Sequence, residues 1–586
     1  MDEFFQDGPV LDNQFESDRL LRSYLRRRLP REAYEKVDSD LTRFAHRLLT
    51  DIPAMAEDAQ RNEPRLVQYD PWGRRIDRIE VSEGWRQLDR VSAEEGMVAI
   101  GYERALGSLS RLHQFAKLYL FNPSSAIYTC PLAMTDGAAR AIEVHGDEAL
   151  RQGAYQRLIT RDPTRFWTSG QWMTERSGGS DVGQSETVAR RQDDGFRLYG
   201  TKWFTSATTS QMAMTLARIE DESGTSTPGS RGLSLFYLET RDHQGRLNGI
   251  RIHRLKDKLG TRALPTAELT LESTLARLVG RPGRGVANIT SLVNVTRVYN
   301  AISAVALMRR GLALARDYAH RRRAFGKLLC EHPLHVETLG RLEVQFQAAF
   351  HLAFHCVLLM GRVECDQSAD EAAVVLRLLT PLAKLTTGKQ SVAAASETLE
   401  LFGGAGYVED TGLPQLLREA QVLPIWEGTT NILSLDTLRA IEKDRAFEPF
   451  LRYMRERLNS VSHAELAGAK ETALRAFDEI EAFLPKALSD GRAAIETTAR
   501  DFALSLARTT AAALMLEHAQ WSLENEQDHR DAIAARRWCA EGLTSLFVAN
   551  PRHRDESRSL GLDEPLHENQ PAVPQNGASP APQTTA

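Results

Sequence analysis

The spacing of apolar residues changes twice along the chain. Over residues 1–165 apolar positions fall three and four apart, as in Leu41, Phe44, Leu48 and Leu49, or Leu106, Leu109, Leu112 and Phe115. That period predicts amphipathic helices, with an Arg-rich connection over 63–86 turning at Asp70-Pro71-Trp72-Gly73. Over 166–285 the pattern shortens to alternation, as in Gly232–Leu238 and Ala267–Leu271, broken by Ser/Gly/Pro turns, which predicts a β-domain. From 286 to 445 the helical period returns in long stripes (Ile302, Val305, Leu307, Met308; Leu339, Leu342, Phe346, Phe350). Residues 446–550 form a further helical set, and the Pro-, Ser-, Gln- and Ala-containing stretch 551–586 is expected to be a disordered tail. The fold class is α+β.

Composition narrows the setting. At 586 residues and 42% hydrophobic, the chain can build several cores. No apolar run reaches the ~20 residues that span a bilayer, and the N-terminal Met-Asp-Glu-Phe-Phe has no signal-peptide charge pattern. An intracellular, cytoplasmic protein with no membrane association is expected. Five scattered cysteines read as reduced thiols, neither a disulfide frame nor a metal site. A net charge of −5 gives no overall attraction to nucleic acid.

Candidate chemistry centres on Val422–Ile432, where Glu427 sits between a helix ending near Glu419 and another beginning near Asn431. With Ile425 and Trp426 as apolar walls, burial would raise the pKa of this carboxyl and suit it to proton abstraction. By itself, an acid near a helix start most simply complements the helix dipole. Three other segments change that balance. Met173–Val182 (MTERSGGSDV) offers hydroxyls and open glycine backbone for a ring carbonyl or a phosphate. In Trp203-Phe204-Thr205, alternation along a strand puts an indole and a hydroxyl on one side, able to cover a flat cofactor and bond its edge. Arg322 and Phe325 lie three apart and on a helix would share a face suited to a phosphate attached to a flat base.

Taken in order, T-E-x-x-x-G-S-D-V, W-F-T-S, R-x-x-F-G-K, F-G-G-x-G-Y and W-E-G-T-x-N-I resemble the acyl-CoA dehydrogenase family over about residues 90–445. The added helices after 445 and Arg254–Arg262 (RLKDKLGTR) look most like its AidB-type branch. The resemblance implies an N-terminal helical domain, a central β-domain and a C-terminal four-helix domain, here with an extra helical domain. It implies FAD as cofactor and an acyl-CoA thioester as substrate. Glu427 becomes the base that removes the α-proton while the β-hydrogen leaves as hydride to the flavin. Met173, Thr174, Ser180, Trp203 and Thr205 are implied around flavin and pyrophosphate. Arg322, Phe325, Gly403 and Gly404 would bind the adenosine half from a neighbouring subunit of a homotetramer. Asn294, Arg297 and Gly428 fall on the substrate side, and an electron-transfer flavoprotein is an implied partner.

Departures from the common pattern bear on turnover. The loop proline is replaced by Arg176, Glu400 stands where a glutamine is usual, and Asn294 where an aspartate is usual. Two alternatives therefore stay open: a DNA-associated protective flavoprotein, and a protein that sequesters acyl-CoA or fatty acid with little turnover. DNA binding is disfavoured, because residues 446–550 hold 12 Lys/Arg against 16 Asp/Glu; only a local patch at Arg452, Arg455 and Arg457 offers basic surface. A nitroalkane oxidase is disfavoured because its base is Asp. His351 and His355, one turn apart, lack a third ligand and read as packed side chains.

Overall fold

The computed structural model describes residues 6–566 except 194 and 367. The N-terminal part is helical, as its periodicity predicts, with one addition. Within 63–86 the chain forms a β-hairpin, Arg65–Tyr69 with Arg75–Glu80. Asp70 turns it by accepting the N–H groups of Trp72 and Arg74, and Asp77 docks it on the β-domain by accepting from Ile252 N–H.

The β-domain is a seven-stranded sheet. Met212–Ile219, Val188–Gln192, Gly195–Ser206, Thr266–Val279 and Leu233–Glu239 follow one another in pairing order, and the last pairs again with the first to complete a ring. Ser169–Trp172 pairs in parallel with Met212–Ile219, and Ile250–Leu255 pairs antiparallel with Thr266–Val279. Trp172, Phe196, Phe236 and Leu269 fill the interior.

Helices Gly285–Arg321, Pro333–Cys365, Asp370–Leu401 and Thr430–Glu442 form a four-helix bundle. Pro333–Cys365 is long and apolar enough to cross a membrane by length and composition, but 89% of the apolar window is buried inside the protein. The added helices Phe447–Ser460, Ala467–Ser489, Arg492–Asn525 and Arg530–Ala540 share one continuous core with this bundle. The fold thus comprises N-terminal helices, a middle β-domain, a helical bundle and an additional C-terminal helical domain.

Two expectations need correction. Residues 551–562 are helical, with Pro551 in the first turn and Asn550 capping the His553 N–H; a cap and a proline at the start outweigh the tail-like composition. The remainder, 567–586, lies outside the described residues. Arg26, Arg27 and Arg28, whose run at a helix end would by itself predict solvated side chains, bridge to the added helices: Arg26 to Glu526, Arg27 and Arg28 both to Glu517.

Candidate active site

Glu427 lies in the turn between helices Leu413–Val422 and Thr430–Glu442. Its φ is +56° and that of Gly428 is +105°. A left-handed non-glycine residue is strained and persists only where its surroundings hold it. The surroundings are specific. Thr296 Oγ1 donates to Glu427 Oε2 at 2.7 Å, Arg297 Nε donates to the Glu427 carbonyl at 3.3 Å, and Lys384 Nζ donates to the Gly428 carbonyl at 2.6 Å. A Cβ on Gly428 would come within 3.0 Å of the Leu433 side chain, so this position needs glycine twice over. Among the described residues no protein acceptor meets the N–H of Glu427 or Gly428.

The walls differ from expectation. Ile425 is 55% exposed and does not cover the carboxylate. Trp426 is half-buried, packs on the cluster of Tyr318, Phe402 and Leu416, and donates its indole N–H to Asn300. The surroundings of Glu427 are instead polar. Arg297, expected on the substrate side, is neutralised by Asp436 at 2.7 Å, which also binds Arg377 at 2.8 Å; it braces the turn. Burial pushes the Lys384 ammonium down to about 7; attraction to Glu427 works against this, and Arg297 adds to it. Neither Thr296 nor Lys384 carried a motif of its own. Thr296 is the residue before Arg297, and Lys384 follows Pro381 by three in a helix whose buried positions are otherwise apolar or hydroxyl-bearing.

Nearby, Cys130 lies within electrostatic reach of Glu427, and burial pushes its thiol up to about 12. Lys258, from the Arg254–Arg262 segment, donates to the carbonyls of Thr261 and Leu264 and to Thr266 Oγ1, and burial lowers it to about 8. Asn294 is half-buried on the same helix as Thr296.

The Met173–Val182 loop leaves the strand Ser169–Trp172 at the edge of the β-domain. Arg176, Ser177, Gly179, Ser180 and Asp181 are exposed, while Met173 and Thr174 are half-buried. The N–H groups of Ser177, Gly179 and Ser180 have no protein partner among the described residues. What the loop lacks in proline it gains from Glu175. This carboxylate is buried and accepts from Lys202 Nζ, Thr187 Oγ1 and Glu186 N, each at 2.6 Å. Burial alone would raise its pKa, but Lys202 and the hydrogen bonds hold it below the usual range.

Trp203 stays beside this loop, donating its backbone N–H to the Thr174 carbonyl at 2.9 Å. Thr205 does not join it. The pairing of Gly195–Ser206 with Thr266–Val279 slips between Lys202 and Thr205, and a bulge breaks the two-residue alternation. Thr205 is consequently fully buried, and its hydroxyl donates to the Ala267 carbonyl at 2.8 Å. Beside Trp203 lie the exposed Phe204 and the largely covered Lys256, whose Nζ sits 3.7 Å from the indole centroid.

Arg322 and Phe325 do not share a helix face. The helix ends at Arg321, and Arg323–Leu328 is a two-residue hairpin with Phe325 at φ +49° and Gly326 at φ +79°. Positive φ at both central residues is the turn that matches strand twist. The Phe-Gly pair before Lys327 was the available sign of it. Phe325 is 98% exposed at the tip. Gly403 and Gly404 are also exposed, with open space where a Cβ would point. Tyr318 and Phe402 pack at 4.6 Å between ring centroids, bringing the two segments to one end of the bundle. No hydrogen bond or ion pair among the described residues joins this pair of segments to the 173–182 loop.

Other candidates resolve simply. His351 and His355 are buried, which holds both far below the usual imidazole value, and His355 shares a hydrogen bond with Tyr453. No cluster able to hold a metal occurs among the described residues. The basic patch is consumed internally: Arg452 pairs with Glu371, Arg455 with Asp478 and Glu481, and Arg457 lies over the Tyr453 ring.

Comparison with known proteins agrees with this architecture. Family models match for the acyl-CoA dehydrogenase middle domain (170–274) and C-terminal domain (283–441), the AidB N-terminal domain (9–162) and an acyl-CoA dehydrogenase 11 C-terminal domain-like unit (445–566). Acyl-CoA dehydrogenase family member 11 of Caenorhabditis elegans is 44% identical, covering 92% of this chain and 89% of its own. The putative acyl-CoA dehydrogenase AidB of Escherichia coli is 33% identical over 65% of this chain and 70% of its own. The crystal structure of the C. elegans protein in complex with C11-CoA superposes with a TM-score of 0.93 at 42% identity, covering 96% of this chain and 97% of that one. The chain belongs to the acyl-CoA dehydrogenase family of oxidoreductases. Within that family it is an AidB-like member, carrying both the AidB-type N-terminal region and the additional C-terminal unit.

Proposed function

We propose that the protein is an FAD-dependent dehydrogenase that introduces an α,β double bond into an acyl-CoA thioester. The observation that carries this reading is the Glu427–Gly428 turn. It holds a carboxylate anchored by Thr296 beside two backbone N–H groups that no acceptor among the described residues uses. A base and a hydrogen-bond donor pair in one rigid turn are what enolisation of a thioester requires. The N–H groups polarise the carbonyl as charge develops on its oxygen, and the carboxylate takes the acidified α-proton.

The residues fit FAD in part. The unpartnered N–H groups of Ser177, Gly179 and Ser180 suit a pyrophosphate, and Met173, Thr174 and Trp203 flank that loop. Thr205 has committed its hydroxyl proton to Ala267 and can offer only a lone pair. When bound, FAD supplies the two-electron acceptor that takes the β-hydrogen as hydride, leaving a trans-2-enoyl thioester. Arg322, Phe325, Gly403 and Gly404 form an exposed surface at the bundle end, suited to the adenosine half of a cofactor held by another subunit of a homotetramer. An electron-transfer flavoprotein is the partner that this reading implies.

The relative solved with C11-CoA makes that thioester the first substrate to test. Anaerobic mixing of the FAD-loaded protein with a panel of acyl-CoAs should bleach the flavin with at least one of them. Tight binding of every acyl-CoA without bleaching would replace dehydrogenation with sequestration. A protein that takes up no FAD would end both readings of the flavin site.

A further inference from the structure

Lys384 is fully buried beside the turn of the proposed base, yet no carboxylate is hydrogen-bonded to it among the described residues. The other charges nearby are matched: Arg297 and Arg377 both bind Asp436, which takes up their attraction within the bundle. The charged groups acting on the Lys384 ammonium are Glu427, from the turn, and Arg297, from the Gly285–Arg321 helix. None from the Pro333–Cys365, Thr430–Glu442 or added helices does so among the described residues. A buried charge without a bonded counter-charge is costly and calls for a reason.

Resting on the reading of Glu427 as the base, we propose that Lys384 is a positioning residue for it. Its side chain clamps the Gly428 carbonyl and so holds Glu427 and Gly428 in their left-handed conformations. The 2.6 Å bond fixes the peptide unit that follows Gly428, and the amine reaches it from a different helix, 44 residues away in sequence. Burial leaves Lys384 able to release its proton near neutrality, so its charge-assisted hold on that carbonyl weakens as the pH rises.

The test uses the FAD-loaded full chain and its Lys384→Met, Lys384→Arg and Glu427→Gln variants. Stopped-flow flavin reduction at saturating acyl-CoA, beside acyl-CoA affinity measured by equilibrium titration, separates placement of the base from binding. Lys384→Met should slow flavin reduction by up to ~10²-fold, the scale for a misplaced reacting group, while acyl-CoA affinity stays near that of wild type. Lys384→Arg, which keeps a charged donor, should return most of the rate. A second readout needs no reaction. A lysine held below its ordinary 10.5 costs stability at pH values below about 7, and that cost is relieved between about 7 and 10.5, where the unfolded chain keeps the proton and the folded chain has lost it. The thermal midpoint of wild type should therefore gain on that of Lys384→Met as the pH rises through this window. Equal flavin-reduction rates in wild type and Lys384→Met, or equal losses in the Met and Arg variants, would overturn the proposal. Unchanged flavin reduction in Glu427→Gln would instead remove the base assignment itself.

Discussion

The Glu427 turn and the exposed segments proposed for the cofactor are built on opposite principles. In the turn, three side chains from two helices grip a carboxylate and two carbonyls of two consecutive residues. At Ser177–Ser180, Phe325 and Gly403–Gly404 the chain lies exposed, and the N–H groups of Ser177, Gly179 and Ser180 meet no acceptor among the described residues. The first region is complete within this chain, while the second leaves its backbone donors open. A reactive group needs its geometry fixed before the substrate arrives, because misplacement costs rate directly. A cofactor cradle can be ordered by the cofactor, which stabilises the folded state by mass action.

The comparison breaks most visibly at Glu427→Gln. The variant should keep its fold, flavin and ligand, since Gln still accepts from Thr296, and lose ~10²–10⁴ in the rate of flavin reduction. Stopped-flow bleaching measures this, and a wild-type rate would show that proton abstraction lies elsewhere.

The base of the open loop is its one closed element. Glu175→Gln should destabilise the β-domain by about 3–5 kcal/mol, because it strands the buried Lys202 ammonium. Replacing both residues with apolar ones should cost less than the single change, and denaturant titration of the three proteins decides the order. Arg322→Ala should leave stability unchanged and weaken FAD binding by ~1–3 kcal/mol, the loss of one charge-assisted partner. Flavin retention should also fall on dilution as subunits separate. Equal retention in monomer and oligomer would mean the cradle is complete within one chain.

A smaller effect marks the joint between the N-terminal helix and the added domain. Glu517 meets Arg27 and Arg28, and although burial opposes it, these cations bring its carboxyl down to about 2. A depressed carboxyl contributes stability above its ordinary value of 4.5 and loses it as the pH falls toward 2. Wild type should therefore exceed Glu517→Gln in thermal midpoint at neutral pH, with the gap closing between about 4.5 and 2. A gap that stayed constant with pH would assign the loss to packing.

Much of this is legible in the order of residues. Glu427 can be placed between two helices because helical periods end and restart around Trp426-Glu427-Gly428. The open 173–182 loop follows from its glycines and serines. What failed did so for local reasons. A bulge turned Thr205 inward, and a tight hairpin replaced the helical spacing assumed for Arg322 and Phe325. Each is a shift of one or two residues that periodicity averages over.

Periodicity by itself determined the alternation of helical and β texture and the order of the motifs. These are short-range properties, set by which face of each element is apolar. Only the tertiary structure decided that Thr296 holds Glu427 across 131 residues, that Arg297 braces the turn and spends its charge on Asp436, and that Lys384 is a buried cation at the site. Hydrogen-bond partners and burial depend on which distant elements pack together, and the spacing of residues along one element carries no record of that.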